Sequence, residues 1–290
     1  MQSKKLTLFS HLVFVLICII TFVPIFITIM LSISNETDII NYGYKVIPMH
    51  IDFSAYKLIF TDISSVATAT GISILNSFVS PALMVLMCGS IGYALSQPIF
   101  RARKYIMYFI LVTMLFSGGL IPSYIINTQY LGLANNIMAY IVLGLVSGWN
   151  IILFKTFFSQ IPASLIEAAN IDGASQSRIL VSVVIPMSKS IVASMFFMSM
   201  LGRWNDYSTS LYYMSDKHLY NLQYFLQKAL QESSFLKETY ANNPAFSNGD
   251  LPFETLKFAL AIVSCIPVLI SFPYMQKYFS KGMAVGSVKE

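Results

Sequence analysis

At 290 residues and a net charge of +5, the chain is 56% hydrophobic and only 11% charged, with a mean hydropathy of +0.67. Soluble domains are about half apolar and about a quarter charged, so the balance excludes an ordinary soluble fold and points to a bilayer. The basic residues lie in short clusters between apolar runs, not in a stripe interleaved with aromatics, which excludes a nucleic-acid-binding face.

Six runs meet the requirement of about 20 consecutive, mostly apolar residues for a membrane-crossing helix: 9–33, 67–96, 105–126, 136–158, 187–212 and 255–275. The first follows Lys4 and Lys5 as a signal peptide would. It runs well past the apolar core of a signal, however, and no A-x-A pattern follows, so an uncleaved span is expected. The reading is an all-α membrane protein of six transmembrane helices. Lys and Arg set its orientation. With the N-terminus in the cytoplasm, eleven of the eighteen basic residues fall inside and seven outside, while ten of the thirteen acids fall outside. Both termini are then cytoplasmic.

Two outer connections are long, 34–66 and 213–254. In the second, Leu222, Phe225, Leu226, Ala229 and Leu230 recur at helical spacing. That helix lies either on the protein's own outer face or against a partner. In span four, Gly144 and Gly148 have the G-x-x-x-G spacing that allows close helix approach. Pro81, Pro267 and Pro273 interrupt spans two and six, where a kink serves packing or rearrangement. Cys18, Cys88 and Cys265 are odd in number, far apart and set in apolar segments, so they read as small hydrophobes. His11, His50 and His218 are equally scattered, and no metal site is expected.

The inner loop between spans four and five is unlike its surroundings. It reads IEAANIDGASQSRILVSVVIP over 166–186. Ser164 and Glu167 have the S-x-x-E spacing of a capping box, and Pro162 suits an entry turn. Ile161, Leu165, Ala168 and Ala169 fall on one apolar face. Gly173 permits a sharp turn, and a second helical run is expected from near Ala174 into span five past Pro186. The whole is a helix–turn–helix element beside the membrane, shaped to fit a groove in a soluble partner.

Glu167-Ala168-Ala169, three residues, Gly173, nine residues, then Val183-x-Ile185-Pro186 resembles the E-A-A-x3-G-x9-I-x-L-P loop of ATP-binding-cassette (ABC) importer permeases. It departs from that pattern by Val for Ile and Ile for Leu. GGLIPSYII at 118–126, IILFKTFF at 151–158, RWNDY at 203–207 and the tail KGMAVGSVKE at 281–290 are similar to sugar-uptake permeases of the MalG type. The likeness is greatest to the branch associated with lipo-oligosaccharide and alginate-oligosaccharide uptake. It runs from about 67 to the C-terminus, which implies a first span and outer loop at 1–66, a permease core at 67–280 and a cytoplasmic tail at 281–290.

The resemblance implies a bacterial cell-membrane subunit that imports oligosaccharides. Glu167, Ala168, Ala169, Asp172, Gly173 and Pro186 would form a coupling helix and turn seated in a cleft of a cytoplasmic ATPase. Arg203, Trp204, Asn205 and Asp206 would either anchor span five at the interface or line the sugar path, with Trp204 stacking on a pyranose. Arg203 and Asp206, three residues apart, would pair on one helix face. Gly282, Gly286 and Lys289 would reach the ATPase from a tail that does not read as helical. The implied partners are a second homologous permease, a dimer of ATP-binding subunits that holds ATP and Mg, an extracellular solute-binding lipoprotein and the oligosaccharide itself.

The sequence contains no G-x-x-x-x-G-K-[ST], H-E-x-x-H or G-x-S-x-G, so no catalytic residue or cofactor is expected on this chain. An ABC permease for a non-sugar solute is one alternative. An ion-coupled secondary transporter is another, disfavoured because the spans lack acids suited to ion coupling and no inverted repeat stands out.

Overall fold

A computed structural model gives the backbone of residues 2–61, 63–241 and 252–287, and the side chains within 7–61, 63–232, 234 and 252–273. Among the described residues it is helical almost throughout; no strand occurs beyond one isolated bridge between Ser34 and Ile51.

In chain order, α1 (Gln2–Ser32) leads to short α2 (Glu36–Tyr42) and α3 (Ser54–Ile59), and then to α4 (Ile63–Ser96). Helix α5 (Arg103–Leu115) is followed by α6 (Leu120–Ile125), which runs on as a π turn to Tyr130. Next come α7 (Met138–Val142), α8 (Gly148–Phe158) and α9 (Ala163–Ile171). Helix α10 (Gln176–Met187) contains a π turn at Leu180–Val184. The chain closes with α11 (Lys189–Trp204), α12 (Ser208–Tyr213), α13 (Leu222–Ala241) and α14 (Phe253–Ser287).

Among the described residues, three helices are long and apolar enough to cross a membrane without interruption, over Thr7–Ser32, Ile63–Ser96 and Phe253–Pro273. None of the apolar window of α1 is buried within the chain, as expected of a helix whose solvent is lipid or a neighbouring subunit.

The remaining expected spans are bent or broken, each at residues that account for the break. The 105–126 run is not one helix: α5 stops before Gly118-Gly119, Gly119 has φ +85°, and the helix beyond it turns by 112°. The 136–158 run is interrupted at 143–147, where Gly144 has φ +67°. Gly144 therefore forms a turn, and the expected G-x-x-x-G face does not exist. Gly148 does allow close packing, since a Cβ there would meet the side chains of Met114 and Ile110 within 2.9 Å. The 187–212 run divides into α11 and α12. Helices α10 and α11 bend by 87° beside Pro186, which has no N–H to donate to the preceding turn. The tail departs from expectation too. Helix α14 continues through Gly282 and Gly286 to Ser287, and Lys289 lies outside the described residues.

Residue contacts divide the chain into two compact units, Met1–Ala67 with Phe225–Pro267 and Thr68–Tyr224 with Val268–Glu290. In the first, buried Glu36 accepts the N–H groups of Glu254 (2.7 Å) and Thr255 (2.9 Å) and the Thr255 hydroxyl (3.0 Å). A carboxylate distant in sequence thus satisfies donors at the start of α14, where an acid also complements the helix dipole. In the second, two apolar cores form among the described residues. The larger joins Met84, Cys88, Tyr93 and Leu95 of α4 to Ile110, Ile151, Phe154, Phe158, Ile166, Ile179, Val184 and Met195. The smaller gathers Ile72, Leu133, Ala139, Tyr140, Met214 and Tyr220.

Candidate functional site

The segment from 161 to 187 folds as an elbow built on the larger core. Helix α9 starts after Pro162, which caps it without any side-chain hydrogen bond. The capping box expected of Ser164 and Glu167 is absent. With Pro162 at the cap, the helix begins at Ala163, one residue before Ser164, so that serine already lies inside the first turn. The apolar face is also rotated from the expected one. Ile166 is buried, with Ile161 and Ala169 packed beside it, whereas Leu165 is 42% exposed, Ala168 is exposed and Ile171 is 86% exposed. Glu167 stands on the exposed side.

The end of α9 is a Schellman turn. Gly173 has φ +74°, its N–H donates to the Asn170 carbonyl at 3.0 Å, and the Ala174 N–H donates to the Ala169 carbonyl at 3.0 Å. Asp172 sits at the C-cap. Ala169 and Ala174, which this closes together, both pack on the core. Helix α10 then begins at Gln176, two residues later than expected, because the Ser175 hydroxyl caps it by accepting the Arg178 N–H at 3.4 Å. Ile179 and Val184 re-enter the core before Pro186.

One polar relay in the elbow was not legible in the sequence. The Tyr93 hydroxyl donates to Gln176 Oε1 at 2.8 Å, and Gln176 Nε2 donates to Asn170 Oδ1 at 2.9 Å. Asn170 and Gln176 occupy variable positions of the E-A-A pattern, and Tyr93 is some eighty residues away in sequence.

The second region is a corner where α11 ends. An open cleft of about 550 Å³ is lined by Gly144, Ser199, Gly202, Arg203, Asn205, Asp206 and Ser208. Arg203, Asn205 and Asp206 thus meet as expected, but Trp204 does not join them. It is 4% exposed and absent from the lining, because successive helical residues point about 100° apart and its indole turns into the protein. Nor do Arg203 and Asp206 pair on a helix face, since α11 ends at Trp204 and Asp206 lies beyond it. Arg203 Nη2 donates to the Leu143 carbonyl at 2.6 Å and Nη1 to the Tyr140 carbonyl at 3.4 Å. These carbonyls lie at the end of α7, where the break at Gly144 leaves them without helical partners. Asp206 Oδ1 accepts the N–H groups of Ser208 (3.0 Å) and Thr209 (3.2 Å), starting α12. The Arg203 carbonyl in turn accepts from Asn76 Nδ2 of α4 at 3.4 Å.

Long apolar helices, broken apolar segments, two of which meet at a polar cleft, and a polar elbow packed on the larger core of the second unit are features of a multi-pass membrane protein. The family described as "Binding-protein-dependent transport system inner membrane component" matches residues 96–285, and the chain belongs to it. Its members are transport subunits and not enzymes. Among its relatives, the "Polygalacturonan/rhamnogalacturonan transport system permease protein YtcP" of Bacillus subtilis is 32% identical, over 96% of this chain and 95% of its own. "Protein LplC" of the same organism is 30% identical over 93% and 90%. A chain from the crystal structure of a bacterial ABC transporter involved in import of the acidic polysaccharide alginate superposes with a TM-score of 0.81 at 28% identity, covering 95% of this chain and 97% of that one.

Proposed function

We propose that this chain is one permease of an ATP-driven importer of oligosaccharides, and that the 161–187 elbow is where a cytoplasmic ATPase grips it. The carrying observation is the face of α9 turned away from the core, where Leu165, Ala168 and Ile171 leave apolar surface exposed beside Glu167. A protein keeps such a patch on a short polar element when another subunit covers it.

On this reading the six crossings are 7–32, 63–96, 103–130, 138–158, 176–204 and 253–273, within a permease core at 67–280. Both termini and the elbow face the cytoplasm. A second, homologous permease completes the conduit, an extracellular lipoprotein delivers the glycan, and ATP with Mg is held by the ATPase dimer. ATP-driven closure of that dimer draws the α9 helices together, and the broken spans, hinged at 116–119, 143–147 and 188, switch access. Names borne by the relatives, a polygalacturonan system and an alginate importer, favour glycans over other solutes, and uronate-bearing ones in particular. Arg203, Asn205 and Asp206 line the path, while Trp204 anchors α11 by packing. The tail with Gly282, Gly286 and Lys289 extends toward the ATPase.

The test is co-purification. Glu167→Lys combined with Gly173→Val reverses the exposed charge and strains the turn, and the ATPase should no longer copurify with the permease pair. Full recovery of the ATPase with normal uptake would remove the elbow from the coupling role.

A further inference from the structure

The Tyr93 ring is buried three residues before the end of α4, and a buried phenol needs a partner for its hydroxyl. It finds that partner in an exposed side chain of the elbow, Gln176 Oε1 at 2.8 Å. This donation fixes the amide. With its oxygen held toward α4, the Gln176 NH2 is directed at Asn170 Oδ1, 2.9 Å away in the last turn of α9. Asn170 is also the residue whose carbonyl receives the Gly173 N–H in the Schellman turn. Side-chain relay and backbone turn therefore converge on one residue of α9.

We propose that Tyr93, acting through Gln176, is a positioning residue that locks the orientation of α9 to α4, so that a pull on α9 moves α4 with it. The inference rests on the coupling reading above and adds the route by which displacement leaves the elbow. Backbone connections alone carry it elsewhere: α9 is continuous with α8 on one side and with α10 and α11 on the other. Helix α4 is remote in sequence and receives motion only through contacts.

Two of those contacts are apolar or steric. Ile166 and Ile179 share the core with Tyr93 and Leu95, and α4 approaches α8 closely enough at Gly92 that a Cβ there would lie 2.7 Å from Phe154 Cβ and 2.9 Å from the Lys155 nitrogen. Apolar packing resists separation but is non-directional. The Tyr93–Gln176–Asn170 relay supplies direction, because each hydrogen bond weakens steeply once its angle is lost. It acts as a strut against rotation of α9 about its own axis, which the apolar contacts of Ile166 alone would allow.

The strut is tested in the complete transporter, with both permeases and the ATPase, reconstituted in liposomes with its binding protein. Binding-protein-stimulated ATP hydrolysis and glycan uptake are measured together, using an oligogalacturonate or oligoalginate mixture as probe. Tyr93→Phe keeps the ring and removes the hydroxyl. Gln176→Met removes both hydrogen bonds at an exposed position while keeping an unbranched side chain of similar length. Each should assemble with the ATPase at the wild-type ratio yet lower the glycan carried per ATP by about fivefold, the factor of one neutral hydrogen bond of about 1 kcal/mol. The double variant should lose no more than either alone, since both break one chain. Wild-type uptake per ATP in Gln176→Met, or fully additive losses in the double variant, would overturn the strut. Failure of the coupling reading looks different: the ATPase would remain bound to the Glu167→Lys, Gly173→Val protein whatever Tyr93 does.

Discussion

In the elbow at 161–187 the charged side chains of Glu167 and Asp172 are exposed while Ile166, Ile179 and Val184 enter the core. In the corner at 203–208 the arrangement is reversed. Arg203 and Asp206 are turned onto backbone groups of α7 and α12, and the large apolar neighbour, Trp204, is buried behind them. The same residue classes therefore have different uses. In the elbow, apolar burial fixes the backbone and leaves charge free for a partner. In the corner, charge repairs a backbone that has been broken, and what remains of it lines a cleft.

The largest expected effect tests that division. If Arg203 chiefly satisfies the orphaned carbonyls of Tyr140 and Leu143, Arg203→Ala should destabilise the protein by about 3 kcal/mol, since hydrogen bonds involving a charged donor contribute about 1.5–3 kcal/mol each. A lowered unfolding midpoint in detergent would report it. Arg203→Lys should recover only part, because a single ammonium does not reproduce the planar fork that reaches both carbonyls. An Arg203→Ala protein with an unchanged midpoint and lost uptake would make the corner a ligand site like the one its residue types first indicated, and the comparison would fail.

The two regions differed in legibility for the same reason. The elbow was readable because backbone requirements fix it. Only glycine accommodates φ +74° without strain, proline fixes where α9 begins, and a short spacing separates them. What misled there was the capping box: Ser164 and Glu167 match by spacing, but Pro162 moves the helix start and leaves the pair inside the helix. In the corner, RWNDY identified a polar cluster yet gave no sign of which way each side chain points. That orientation depends on the helix ending at Trp204 and on carbonyls freed sixty residues earlier at Gly144. The apolar runs were legible as runs. Their breaks at 116–119, 143–147 and 188 were not, since hydropathy is blind to a change of direction. The Tyr93–Gln176–Asn170 relay was invisible because uncharged side chains at variable positions carry no periodic signal.

A smaller effect sharpens the elbow side. Gly173→Ala should cost about 1 kcal/mol, the penalty of placing a β-carbon in the left-handed region, and no more, because nothing lies within 4 Å of that carbon. Gly173→Asn should lose less, its side chain being better tolerated there. Equal unfolding midpoints for the alanine variant and the parent would mean that the turn relaxes without strain, and that the fixed geometry ascribed to the elbow is not fixed by this glycine.

The smallest effect asks whether the corner's habit, carboxylates turned on the protein's own groups, is general. It recurs at Glu36 and Glu254, where Glu254 accepts from the Tyr44 hydroxyl at 2.8 Å and pairs with Lys257 at 2.9 Å. The hydrogen bond to Glu254 raises the Tyr44 phenol above its ordinary value of 10.0, and burial and the nearby negative charges of Glu254 and Glu36 add to it. A raised phenol favours the protonated fold, so its contribution is fully present below the unfolded value and is lost as pH rises through the folded one. Tyr44 is 61% exposed, so solvent screening keeps the effect small. The unfolding midpoint of the wild type should exceed that of Tyr44→Phe at about pH 8, and the gap should close as pH rises past the ordinary phenol range and through the raised Tyr44 value. A gap that stays constant across this range would mean that the Tyr44 hydroxyl does not interact with Glu254, and would leave Glu36 as the carboxylate outside the corner that is turned on the protein's own backbone.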